Sequence, residues 1–85
     1  MSESAVVAFL RYPIAGLVEY ALSIVNLTWQ EELAVYLVGR KHMTQERAAE
    51  TAGYSVDAVQ KWYRSGIRKL RAAWSGSDWI LKLLN

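Results

Sequence analysis

Few residues in this chain are of types that do covalent or metal chemistry. There is no cysteine and only one histidine among 85 residues, which removes disulfides, thiolate metal sites and thiol nucleophiles. His42 stands among polar residues at an expected helix end, with no second ligand near it in sequence, so a solvated or capping role is expected rather than a metal or acid–base role. Glu31-Glu32 reads as a capping residue with a solvent-facing neighbour. No glycine-rich phosphate loop, nucleophile elbow or zinc spacing is present. Neither an enzyme nor a cofactor or metal site is expected.

What remains is charge, and it is unevenly placed. Residues 1–39 hold one base and four acids, whereas residues 40–71 hold eight bases and three acids. A chain of formal net charge +2 therefore carries a basic block, which suits a polyanion on one side only. Within the block, at about 100° per residue, Lys61, Arg64, Arg68 and Arg71 fall in one helical sector about 80° wide. Val59, Trp62, Gly66, Leu70 and Ala73 occupy the opposite sector. Such a row is suited to lie along phosphates, with Arg40, Lys41, Thr44 and Arg47 as further phosphate contacts.

The elements that would position these groups are all helical, because apolar residues recur at three and four almost throughout. One helix is expected over 3–11, stopping before Tyr12-Pro13. Pro13 suits the first turn of a second helix carrying Ile14, Leu17, Val18, Ala21 and Val25 on one face. Thr28-Trp29-Gln30-Glu31 has the form of a capping box. It opens a third helix that is expected to reach about Arg40, bury Trp29, Leu33, Tyr36 and Leu37, and end at Gly39 and the bases after it. Thr44 and Ser55 are expected caps of a short helix to Ala52 and a long one to about Trp74. Gly53 is the left-handed residue of the turn between them, and Asp78 starts a last apolar piece, Trp79 to Leu84. Three of the four tryptophans (Trp29, Trp62, Trp74, Trp79) continue apolar stripes, so core packing is preferred to single-strand stacking.

The layout at 44–74 is that of a helix-turn-helix, although an ordinary αα-hairpin has the same outline. Ala49 is small where two helices must cross, Gly53 occupies the turn, and Val59 and Trp62 point back into the core. In this reading Ser55, Val56, Asp57, Gln60 and Lys61 face base edges in the major groove. Gln60 can pair with adenine, Lys61 can reach guanine or phosphate, and Asp57 can accept from a cytosine amine.

The motifs Leu27-Thr28-Trp29-Gln30-Glu31-Glu32, Met43-Thr44-Gln45-Glu46-Arg47-Ala48-Ala49-Glu50-Thr51-Ala52-Gly53-Tyr54-Ser55 and Ile67-Arg68-Lys69-Leu70-Arg71 resemble the fourth conserved region of bacterial sigma factors. The small phage-type transcription regulators built on that module share the likeness. The resemblance spans residues 27–71 and implies a duplex-DNA reader, with Ser55, Val56, Gln60, Lys61 and Arg64 as the positions carried over. It leaves contact with RNA polymerase open. The chain departs from the family where Ala48-Ala49 replaces the usual Ile then Ala, and where Ala52 replaces Leu; Tyr54, Trp62, Tyr63 or Trp74 would refill that volume. No segment is similar to the sigma regions that melt promoters. The same alanines with Gly53-Tyr54-Ser55 also resemble the DNA-binding domain of phage small terminase subunits, a packaging module and the second choice. A purely protein-binding helical domain is a third alternative.

The expected architecture is thus all-α: a compact five- or six-helix single domain over 1–85, with an N-terminal helical pair at 3–26, a helix-turn-helix module at 28–74 and an apolar helix at 78–84. The apolar run 5–25 is long enough to span a bilayer. It contains Arg11, Pro13 and Glu19, however, and each central charge would cost about 2.5–3.5 kcal/mol. Two shorter helices explain it better. The start Met1-Ser2-Glu3-Ser4 lacks the basic region of a secretory signal, so a cytoplasmic protein of a bacterial or phage-infected cell is expected. The N-terminal pair and the apolar tail offer surface for a homodimer, which would place two reading helices about 34 Å apart on a palindromic site.

Overall fold

A computed structural model describes residues 1–84. They form α1 (Glu3–Leu10), α2 (Ala15–Ser23), α3 (Trp29–Ala34), α4 (Gln45–Ala52), α5 (Val56–Trp74) and α6 (Asp78–Leu84), with no strand among the described residues. α3 runs without a break into a π-helical stretch, Val35–Arg40. No helix among the described residues is long and apolar enough to cross a membrane. The Cα radius of gyration is 12.3 Å, against about 12 Å for a compact chain of this length.

Local chemistry starts most of these helices. Ser2, Thr28, Thr44 and Ser55 each adopt extended backbone, and each hydroxyl accepts a hydrogen bond from the amide three residues on, which satisfies a donor the helix leaves open. At Thr28 the box is reciprocal, since its own amide donates to Glu31 Oε1 at 2.8 Å. α4 ends where Gly53 takes φ 77° and donates to the Ala49 carbonyl, a left-handed stop that a Cβ would strain.

Several boundaries differ from the sequence expectation. α2 begins after Ile14 rather than at Pro13 and ends at Ser23, short of Val25. Gly39 is not the stop for the α3 segment: it lies inside the π turn and buried, where an added Cβ would come within 2.7 Å of Leu10 Cδ1. The chain instead reverses at His42, which holds φ 60°, while the Lys41 and Met43 amides donate to the Tyr36 and Leu37 carbonyls. Thus the glycine serves close approach, and a histidine takes the left-handed position.

The interior has two parts that share α5. The larger gathers Val6, Phe9 and Leu10 of α1, Val18 and Ala21 of α2, Ile67, Leu70 and Trp74 of α5, and Ile80 of α6. Phe9 meets Trp74 edge-on with ring centres 5.0 Å apart, and the Trp74 indole donates to the Ala21 carbonyl at 3.0 Å. The smaller gathers Ala34, Leu37, Ala48, Ala49 and Val59, so the alanines of α4 let α3, α4 and α5 approach closely. Trp62 and Tyr63 pack against it, whereas Trp74 belongs to the larger part. Tyr54 lies outside; it and Trp29 are exposed, and both rings meet the half-buried Trp62.

Where α3 crosses α5, Gly66 gives clearance: a Cβ there would lie 2.6 Å from Val35 Cγ2. Beside it Glu31, 4% exposed, receives Lys69 Nζ at 2.8 Å and the Ser65 hydroxyl. Burial pushes the Glu31 carboxyl up, but the bonds from Lys69, Ser65 and Thr28 outweigh it and hold its pKa at about 2. Glu31 is therefore a cap, as expected, and also the polar pin between α3 and α5.

Candidate nucleic-acid interface

The geometry of α5 follows from its strict division of faces. Val59, Gly66, Ile67, Leu70 and Trp74 are buried, while Asp57, Lys61, Arg64, Arg68, Lys69 and Arg71 are exposed. Asp57, Gln60, Lys61, Arg64, Ser65 and Arg68 line one shallow trough along its outer side. Among the described residues the single ion pair is Lys69 with Glu31, so Lys61, Arg64 and Arg68 form none, although Asp57 shares their trough and Glu3 lines the crevice beside Arg64. Arg71, at the far end of the row, leans back and donates from Nε to the Met1 carbonyl at 2.8 Å.

At the other end, Ser55 and Val56 are exposed beside the turn. The Ser55 hydroxyl accepts from the Ala58 amide at 3.1 Å, yet it keeps a proton to donate. Gln60 is half-buried. Besides the trough it lines a crevice of about 240 Å³ with Glu3 and Val7 of α1, Gln45 of α4, Tyr63 and Arg64. Burial pushes the Tyr63 phenol upward; Arg11 opposes that rise and Glu3 adds to it. The foot of α1 thus flanks the outer face of α5 without covering it.

The remaining residues expected to meet phosphate separate into two groups. Thr44 caps α4, accepting from the Arg47 amide at 3.2 Å, and Arg47 is exposed beside Glu50 and Thr51 on the outside of α4. Arg40 and Lys41 are brought elsewhere. The Arg40 guanidinium turns inward and donates to the Leu10 and Tyr12 carbonyls, while Arg11 Nε donates to the Gly39 carbonyl at 3.2 Å. These reciprocal bonds fasten the end of α1 to the end of the π stretch. Lys41 stands over the Tyr36 ring, 5.5 Å from its centre, away from the α5 row.

Two expected core residues are on the surface. Trp29 is 58% and Tyr36 45% exposed. Both line a groove of about 520 Å³ between α2 and α3, together with Glu19, Leu22, Ser23, Glu32 and Leu33. Sequence reading missed this groove, although one signal was available: no lysine or arginine occurs between Arg11 and Arg40. The chain matches no family model, no curated protein and no solved structure.

Proposed function

We propose that this protein binds duplex DNA with α4 and α5 acting as a helix-turn-helix, and that it regulates transcription by occupying a specific site. The observation that carries this reading is the exposed row Lys61, Arg64 and Arg68. It lies on a helix reached from a short, capped helix through a left-handed glycine. In this reading the row follows one phosphate strand, with Arg71 extending it once released from the Met1 carbonyl. Thr44 and Arg47 meet phosphate at the start of α4, and Ser55, Val56, Asp57, Gln60 and Lys61 face base edges. Arg40 drops out of the phosphate set, since its guanidinium is bonded to the Leu10 and Tyr12 carbonyls, while Lys41 stays exposed beside the Tyr36 ring.

The test is a salt titration with duplex of random sequence. Each phosphate neutralised steepens the dependence of affinity on salt by about 0.9. Arg64→Gln with Arg68→Gln should weaken binding to every sequence and flatten the slope by about 2. Gln60→Ala should leave that slope intact and relax preference at one base pair, at about 1–3 kcal/mol, in a selection from random duplexes. If the arginine pair can be neutralised without loss of affinity, the face assignment is wrong.

A further inference from the structure

We propose that the groove between α2 and α3 is a docking site for an amphipathic helix of another protein, one whose apolar stripe is flanked by lysine or arginine. The groove is built by the way α2 is seated. Val18 and Ala21 turn inward toward Trp74, which leaves Glu19, Leu22 and Ser23 of α2 along the groove. Trp29 and Tyr36 face out from the α3 side. Apolar side chains scattered singly need no explanation, but a contiguous patch with a concave centre is what partners cover.

The walls select the form of the occupant. Both are helices, whose backbone groups are bonded within their own turns, so no strand edge is offered for pairing. An occupant must satisfy its own backbone while it is desolvated, and a helix does so. Leu22 and Leu33 on the floor, with Trp29 and Tyr36 at the sides, suit side chains spaced at three and four.

Charge selects the partner. Glu19 and Glu32 line the groove and are both exposed, and no cation lines it among the described residues. Lys41 alone approaches, over the Tyr36 ring. A second copy of this chain docked face to face would set these carboxylates against their own equivalents, while the chain's main row of bases lies on α5. Basic residues flanking the occupant's stripe would complement the carboxylates, and electrostatic complementarity of this kind sets specificity and docking rate. No α5 residue lines the groove, so the site is separate from the outer α5 face and this inference does not depend on DNA binding.

The probes are two synthetic helical peptides of about 16 residues, with leucines at i, i+3, i+4 and i+7 and either lysine or glutamate flanks. Each is titrated into the full chain by calorimetry and by amide chemical shifts. The lysine peptide should bind at least about tenfold tighter and shift residues of α2 and α3 while sparing Lys61, Arg64 and Arg68. Trp29→Ala should weaken it while lowering the melting temperature by no more than about 3 °C. Glu19→Lys with Glu32→Lys, both exposed and so compatible with folding, should reverse the preference toward the glutamate peptide. Equal binding of the two peptides, no binding at about millimolar concentration, or a preference that survives the charge reversal would overturn the proposal. So would self-association of the chain alone that broadens the same α2 and α3 signals, since a second copy would then be the occupant.

Discussion

The two halves of the interior are built on opposite principles, and α5 passes through both. Around Phe9, Leu70, Trp74 and Ile80, bulky side chains from α1, α2, α5 and α6 fill the space between the helices. Around Ala34, Ala48, Ala49 and Val59, small side chains bring α3, α4 and α5 together. The first arrangement is sensitive to what is removed, and the second to what is added. The difference matters for the proposed interface, because the small-residue half fixes how α4 and α5 are set against each other. The large-residue half packs against the inner side of the rest of α5, beneath its row of bases.

The largest effect should come from Trp74→Ala, which opens a cavity and leaves the Ala21 carbonyl without its donor. A loss of about 3–5 kcal/mol is expected from chemical denaturation. A loss below about 1 kcal/mol would mean the two halves are not built differently. In the other half, Ala48→Leu adds volume to a fully buried site and should cost about 1–3 kcal/mol. Because it wedges α4 from α5, we expect duplex affinity to fall further than stability explains, whereas Trp74→Ala should lower both together.

The junction between the halves gives the next effect. Glu31 has its pKa lowered from the ordinary 4.5 to about 2, so its contribution to stability is present above about pH 4.5 and is lost as pH falls toward 2. Glu31→Gln should lower stability at neutral pH by about 2 kcal/mol and remove that part of the acid-induced loss, as read from denaturant midpoints at pH 6, pH 4 and pH 3. If the variant and the parent lose stability in parallel between pH 4.5 and pH 2, the pin is not formed. The smallest effect belongs to Trp29→Ala, which is expected to cost under about 0.5 kcal/mol because the ring is mostly exposed. A loss comparable to that of Trp74→Ala would show the groove wall to be core after all.

Most of the local structure was legible from the residues themselves. Thr28, Thr44 and Ser55 cap helices because a hydroxyl and an amide three residues on need no distant partner. Gly53 ends α4 for a reason contained in its own backbone. The facing of α5 was equally legible, since one strongly divided helix declares its inner side by composition. The α3 segment was not, because Trp29 and Tyr36 continue an apolar stripe that the neighbouring helices do not cover. An apolar stripe shows that a face can be buried; whether it is depends on where the neighbours sit. Arg40 illustrates the same limit. Among other bases it looked available for phosphate, yet carbonyls 28 and 30 residues earlier in the chain claim it.

By itself, then, the order of amino acids determined the helices, their caps, the left-handed turn and the basic face, because each rests on interactions within a few residues. Only the tertiary structure decided that Glu31 and Lys69, 38 residues apart, would pair across α3 and α5. It also decided that Gly39 would admit Leu10 rather than end a helix, and that α2 and α3 would leave an acidic apolar groove open between them. Those outcomes depend on which surfaces meet, and a surface acquires its neighbours only once the whole chain has packed.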